Sequence, residues 1–118
     1  MLPKKNRLSS DFDFRRVRRF GKGYPTPFFS VFVLHDDKDP KAPPRFGFVA
    51  STKISKRAVK RNRIKRILRN EISKLLPDIS PGVLVSFWVR PKALEAPPDK
   101  LRLKVRETLK KAQILQVS

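Results

Sequence analysis

The chain has 118 residues, of which 39% are hydrophobic and nine are phenylalanine, which is enough for one compact domain with its own core. Its formal net charge of +19 exceeds what solubility requires and favours a polyanionic partner, with nucleic acid the leading class and an anionic membrane a minor one. Zero cysteines exclude disulfides and thiolate metal sites, and no apolar run reaches the length of about 20 residues that a membrane-spanning helix needs.

The first predicted element is a helix over residues 11–20. Ser9 or Ser10 can cap it, and Asp11 and Asp13 fall in its first turn, where acidic side chains complement the helix dipole. Two glycines then end it. We expect Phe14 and Val17 to share one face of this helix, with Phe20 roughly on the same face. The same opening segment has no apolar stretch behind its positive charge, which predicts an unprocessed, cytoplasmic protein.

Three strands are predicted from short runs of β-branched and aromatic residues bounded by proline or glycine: residues 28–34, 45–51 and 83–89. In the first of them, Phe32 shares a face with Phe28, while Phe29 points to the opposite face. Strand alternation alone leaves open which of these two faces the central helix covers.

Two further helices flank the last strand. The central one carries an apolar stripe that we expect to pack on the sheet: Ile64, Ile67, Leu68, Ile72, Leu75 and Leu76. Asp99 is expected to cap the last helix, whose buried side consists of Leu101, Val105, Leu109 and Ala112. The predicted fold is an α+β class, a single α-β sandwich domain over residues 1–118 with the order α-β-β-α-β-α.

The segment KRAVKRNRIKRILRN, residues 56–70, is predicted to be helical and concentrates positive charge without an acid to balance it. Four of its cations are spaced four residues apart and form one ridge: Arg57, Arg61, Lys65 and Arg69. Four others lie on the flanks of this ridge: Lys56, Lys60, Arg63 and Arg66. Like charges at this spacing repel, so the pattern favours a phosphate-rich partner over the alternative of a merely solvated helix face, which usually mixes both signs. Asn62 offers a donor and an acceptor to the same partner, or is simply tolerated there.

Six segments follow one another along the chain: KKNRL, DFRRV, RFG, STKI, KRAVKRNRIKRILR and VRP. In this order they resemble the bacterial ribonuclease P protein subunit, and the RNR followed by IKR is the most specific of the signals. The resemblance implies a ribosomal-protein-S5-domain-2-like fold with a left-handed βαβ crossover. It also implies contacts with a catalytic RNA from Lys56, Arg57, Lys60, Arg61, Asn62, Arg63, Lys65, Arg66 and Arg69.

The resemblance further implies a cleft between the first helix and the sheet that holds the single-stranded 5′ leader of precursor tRNA. The corresponding positions here are Phe14, Arg18, Phe32, Ser51, Thr52, Lys53 and Arg90, and Arg18 stands where many relatives have a second aromatic residue. Aromatic rings stack on unpaired bases of any identity, while cations follow the backbone. Ordinary core packing is the alternative role for each phenylalanine.

No catalytic or metal-binding constellation is visible in the protein itself. His35 is the only histidine and lies beside acidic residues, where a solvated turn is a better interpretation than a metal site. The resemblance implies that the RNA performs the endonucleolytic step with Mg²⁺ bound mainly by the RNA, that no organic cofactor is used and that the protein alone is inactive. The expected partners are the catalytic RNA and precursor tRNA, with no membrane and no obligate protein partner. The alternatives are a non-catalytic RNA-binding protein such as a small ribosomal protein, a DNA-compacting protein, or a metal-dependent nuclease acting alone.

Overall fold

A computed structural model describes residues 2–116 and folds them into one four-stranded sheet with helices on both faces. The helices are α1 (Asp11–Phe20), α2 (Ala58–Leu75) and α3 (Pro98–Lys111). The strands are β1 (Lys22–Pro25), β2 (Phe29–His35), β3 (Arg45–Val49) and β4 (Val83–Val89). Short 3₁₀ turns occupy Lys4–Asn6, Leu76–Asp78 and Pro91–Glu95. None of the helices in this part of the chain combines the length and apolarity that a membrane crossing needs.

The strand β1 was missing from the predicted order, so the α-β-β-α-β-α arrangement is one strand short. β1 pairs antiparallel with β2 from Lys22 opposite Val33 to Pro25 opposite Ser30. Glycine and proline are poor strand formers, so the sequence pattern predicts no strand here and assigns Gly23 only to the end of α1. At the edge of a sheet they are tolerated, because one side of an edge strand needs no hydrogen-bonding partner.

The strands lie in the order β1-β2-β4-β3. β2 and β4 are antiparallel, with Phe29 opposite Val89, whereas β3 and β4 are parallel, with Val49 opposite Trp88. The helix α2 connects β3 to β4, which makes the βαβ crossover that the resemblance implied. Its left-handedness stays a prediction. Because β3 and β4 are parallel, both run to the same end of the sheet, where Val49 and Trp88 border a groove.

One face of the sheet carries the main core under α2 and α3. Phe29 and Phe48 both contact Phe87, each with a ring-centroid distance of 5.3 Å. The predicted stripe of α2 and the predicted face of α3 pack on these rings, with Leu68 and Val105 completely buried. The open question about β2 is thereby settled: α2 and α3 cover the face of Phe29, Val31 and Val33.

The helix α1 covers the opposite face of the sheet. Val17 is fully buried there with Leu8 and Leu84, and Phe14 is partly buried beside them. The expectation that Phe20 shares this face is wrong, since its side chain is 65% exposed. At about 100° per residue, a position six residues after Phe14 has rotated by about 120°, which turns it away from the sheet.

Two helix starts differ from prediction. Asp99 does not cap α3: Pro97 is the N-cap residue and Pro98 the first helical residue, as is common for proline. Asp99 instead pairs with Arg102 at 2.9 Å in the first turn. The basic helix begins only at Ala58, so Lys56 and Arg57 precede it and Arg57 is its N-cap residue.

The single acid of α2 points inward. Glu71 is 5% exposed, and its Oε2 accepts an ion-pair contact of 3.1 Å from the Nε of Arg106 on α3. This pair ties the buried Glu71 of α2 to the exposed Arg106 of α3. It also leaves the solvent side of α2 without any negative charge.

Candidate RNA interface

The charged side chains on the outer side of α2 are all positive. Lys60, Arg63 and Arg66 are exposed, together with Asn62. Arg61, Lys65 and Arg69 are half-buried along a second ridge. The helix therefore divides the predicted RNA-binding residues between an outer surface and a side that faces the rest of the protein.

The beginning of α2 is electrostatically unfavourable for the protein alone. Its first turn contains no acid, and its N-cap side chain makes no capping hydrogen bond. In addition, Lys56 and Arg57 place two positive charges at the positive end of the helix dipole. The Nη1 of Arg61 donates a hydrogen bond of 2.7 Å to the carbonyl oxygen of Ser55, which orients this side chain toward the segment before the helix. A phosphate placed at this end would offset both the dipole and the cations.

A groove runs between α1 and the edge of the sheet. One part has a volume of about 610 Å³ and is lined by Asp11, Phe14, Arg15, Arg18, Phe48, Val49, Ala50, Lys65 and Trp88. A neighbouring hollow of about 650 Å³ shares Phe14 and Phe48 with it and is also lined by Arg69. The Lys65 and Arg69 side of α2 thus forms one wall of the groove, and α1 forms the other. Such a channel, with aromatic surface at its base and cations on both walls, suits a single nucleic acid strand.

The base of the groove depends on a glycine. The ring of Phe14 lies directly against Gly47 of β3, and a methyl group added there would overlap the ring and approach Cβ of Leu8 to 3.2 Å. We expect Gly47→Ala to lower the free energy of unfolding by about 1–3 kcal/mol, because the ring must be displaced from a packed position. Urea unfolding followed by circular dichroism measures this.

Gly23→Ala is the matched control for this substitution. Gly23 also lies in the sheet, but its nearest neighbour would be only Cε1 of the Phe32 side chain at 3.2 Å. We expect a smaller loss there, since a contact at 3.2 Å requires a much smaller shift of the Phe32 ring than the overlap at Gly47 requires of Phe14. A Gly47→Ala variant as stable as the parent would show that Phe14 is not held against β3.

Trp88 was not predicted as a site residue, and it supplies much of the aromatic surface in the groove. The guanidinium of Arg18 stacks over its ring at 4.5 Å from the centroid, and its Nε1 donates a 2.9 Å hydrogen bond to the Oγ of Ser86. These contacts fix the indole between α1 and the sheet. The alternation along β4 was the available signal, because it places Trp88 on the face opposite the buried Phe87.

The structure brings part of the predicted leader-binding set to this groove. Phe14 and Arg18 line it directly. The exposed residues Ser51, Thr52 and Lys53 follow Ala50, which also lines it.

The remaining two members of the set are not among the residues that line the groove. Arg90 follows β4 at the same end of the sheet, and its Nη1 donates to the carbonyl oxygen of Thr26 at 3.1 Å. Phe32 packs in the small cluster under α1 with Leu8 and Val17 and does not line the groove.

The acidic turn after β2 makes short-range contacts of its own. His35 is exposed at the end of β2. Asp36 accepts a hydrogen bond of 3.1 Å from the backbone N–H of Lys38 and lies 3.9 Å from Arg16. Among residues 2–116, no group of three or more histidine, cysteine, aspartate or glutamate side chains is placed to hold a metal ion.

Comparison with known protein families identifies the family to which the chain belongs. The family model described as Ribonuclease P matches residues 2–113, which is nearly the whole chain. The chain belongs to the ribonuclease P protein family. It is a protein subunit of ribonuclease P, an enzyme of tRNA processing, and works with the RNA of that enzyme; the alternative of a small ribosomal protein is not favoured.

Individual ribonuclease P proteins match over almost their full lengths. The protein component from Microcystis aeruginosa is 37% identical over 115 residues, which cover 97% of this chain and 96% of that protein. The one from Symbiobacterium thermophilum is 36% identical over 115 residues, covering 98% and 97%. The similarity therefore extends well beyond the basic segment.

Solved ribonuclease P protein structures share the fold. The protein from Thermotoga maritima superposes with a TM-score of 0.77 at 26% identity, covering 89% of this chain and 98% of that one. The Staphylococcus aureus protein gives a TM-score of 0.85 at 23% identity, covering 96% and 100%. The predicted α+β fold class is confirmed, with the added edge strand β1.

Proposed function

We propose that this ribonuclease P protein docks on the catalytic RNA through the outer side of α2 and holds the 5′ leader of precursor tRNA in the groove. The observation that carries the first half is the exposed one-signed surface of Lys60, Arg63 and Arg66, while Glu71 is turned into the core. A surface of this kind repels itself in isolation and is stabilised when phosphates neutralise it. Arginine adds forked hydrogen bonds to phosphate oxygens.

The groove supports the second half of the proposal. Phe14 and Trp88 offer aromatic surface for unpaired bases, and Arg15, Arg18 and Lys65 surround it with positive charge. Stacking discriminates little between bases, whereas the cations follow any sugar-phosphate backbone. This combination suits an enzyme that meets leaders of many sequences. The predicted residues Ser51, Thr52, Lys53 and Arg90 would contact the strand where it leaves the groove at the end of β3 and β4.

The chemical step is assigned to the RNA. Mg²⁺ would be bound mainly by the RNA, where it would supply an activated water for attack on the phosphodiester. The cations of α2 and of the groove compete with metal ions for phosphates, so this chain contributes screening and positioning. It screens the repulsion between two RNAs and retains the leader, which favours precursor over product. In this proposal the assembled enzyme works in the cytoplasm without an organic cofactor.

Reconstitution tests the proposal. The protein, the catalytic RNA and their complex are each incubated with precursor tRNA and Mg²⁺, and the affinities of the complex for precursor and mature tRNA are compared. We expect cleavage only when the RNA is present, and tighter binding of the precursor. Cleavage by the protein alone, or equal affinity for precursor and mature tRNA, would contradict the proposal.

A further inference from the structure

The outer side of α1 exposes two aromatic rings that neither the core nor the groove uses. Phe12 is 69% exposed and Phe20 is 65% exposed. Each has an arginine over its ring: Arg16 lies 5.9 Å from the centroid of Phe12, and Arg19 lies 5.3 Å from that of Phe20. We call these four residues the α1 stripe.

The stripe is continuous along the helix. Phe12, Arg16 and Phe20 follow one another at spacings of four residues, so the two rings are separated by about 12 Å along the axis and have a cation between them. Arg16 is only loosely engaged by acids, at 4.0 Å from Asp13 and 3.9 Å from Asp36. Exposed aromatic rings alternating with arginine form a stacking surface for unpaired bases with phosphate contacts beside it.

The stripe adjoins the groove. On a helical wheel with about 100° per residue, Arg15 and Arg19 lie between the groove wall formed by Phe14 and Arg18 and the position of Phe12. Arg15 itself lines the groove. A strand that leaves the groove on this side meets these arginines as it crosses α1 and then reaches the exposed rings.

We infer that the α1 stripe binds the distal part of the unpaired 5′ leader, after the leader has passed over α1 from the groove. The inference rests on the proposed function, since it extends the path of the same strand. Charge argues for this occupant over a second copy of the chain, because two proteins of net charge +19 repel each other. The shared border with the groove argues for the leader over the catalytic RNA, because a strand held in the groove reaches the stripe directly past Arg15.

The test uses the reconstituted enzyme with two precursor tRNAs that differ only in leader length. One leader ends within the groove, and the other is longer by at least about four nucleotides, enough to cover 12 Å at about 3.4 Å per stacked nucleotide. In the double variant Phe12→Leu with Phe20→Leu, leucine keeps the helix and an apolar surface but cannot stack. We expect a loss of affinity of about 10-fold for the long-leader precursor and no change for the short one.

Two controls isolate the aromatic contribution. The double variant Phe12→Trp with Phe20→Trp should retain the parental affinity for the long leader, since tryptophan stacks at least as well. Leu103→Ala removes a side chain that is 52% exposed on α3, away from the stripe, and should leave both affinities unchanged.

Several results would overturn the inference. They are an unchanged affinity of the leucine variant for the long leader, an equal loss for both leaders, weaker assembly with the catalytic RNA, or an altered oligomeric state. The groove substitutions Phe14→Leu and Trp88→Leu separate this failure from that of the proposed function. If they weaken precursor binding and the stripe variant does not, the inference fails and the proposed function stands. If neither weakens it, both fail.

Discussion

Replacing Lys60, Arg63 and Arg66 together by glutamine should weaken assembly with the catalytic RNA by about 100-fold at physiological salt. All three side chains are exposed on the outer side of α2, so glutamine leaves the helix and the core intact. When the logarithm of affinity is plotted against the logarithm of salt concentration, each phosphate contact adds about 0.9 to the steepness of the slope. Three lost contacts should therefore also reduce that slope by about 2.7, which filter binding at several salt concentrations measures.

A variant with the same net charge provides the control for this prediction. Glutamine at Lys41, Lys100 and Lys110 removes three exposed cations from the β2–β3 loop and α3, and the net charge falls from +19 by the same three units. If α2 is the docking surface, this control should lose only a few-fold in affinity and little of the salt dependence. Equal losses in the two triple variants would show that overall charge, and not the position of α2, determines assembly.

The double variant Phe14→Leu with Trp88→Leu should lower the affinity of the assembled enzyme for precursor tRNA by about 10-fold to 100-fold. Both rings line the groove, and stacking contributes about 1–3 kcal/mol per base. Affinity for mature tRNA should stay within about two-fold of the parent, because mature tRNA has no leader to stack. Equilibrium binding of both RNAs to the same reconstituted enzyme provides the measurement.

Phe32→Leu is the informative comparison for the groove. The family resemblance includes Phe32 in the leader-binding set, whereas the structure packs it under α1, outside the lining of the groove. We expect only a small change in precursor affinity from this substitution. If Phe32→Leu lost as much precursor affinity as the groove variant, the groove would not have its proposed role. The same conclusion would follow if the groove variant lost affinity equally for precursor and mature tRNA.

Much of the fold was predictable from local patterns. The bounds of α1 and β4 match the prediction, because an amphipathic decapeptide between serine and glycine and a run of β-branched and aromatic residues are strong signals. Ser10 is the N-cap residue of α1, but its side chain makes no capping hydrogen bond. β1 was missed because Lys22–Pro25 contains glycine and proline and is a strand only through its pairing with β2. Phe20 was misplaced because a spacing of three drifts around a helix, and tertiary packing decides where the buried arc ends.

The candidate site was less accessible to sequence reasoning. The chemistry of α2 was evident from its uniform charge, but nothing local shows that Lys65 and Arg69 turn toward a groove while Arg63 and Arg66 face solvent. Trp88 joins the groove only because β4 lies beside β3 and beneath Arg18 of α1. Such contacts join residues far apart in sequence, so periodicity and motif spacing do not reveal them.

The inward orientation of Glu71 affects the protein before it meets its RNA. Because the one carboxylate of α2 is buried and paired with Arg106 of α3, α2 itself supplies no counter-charge on its outer side. A subunit that lacks its cognate RNA is therefore expected to bind other nucleic acids through this surface, with the modest affinity typical of non-specific contacts. Abundant cellular RNAs would then compete with the catalytic RNA for surplus protein.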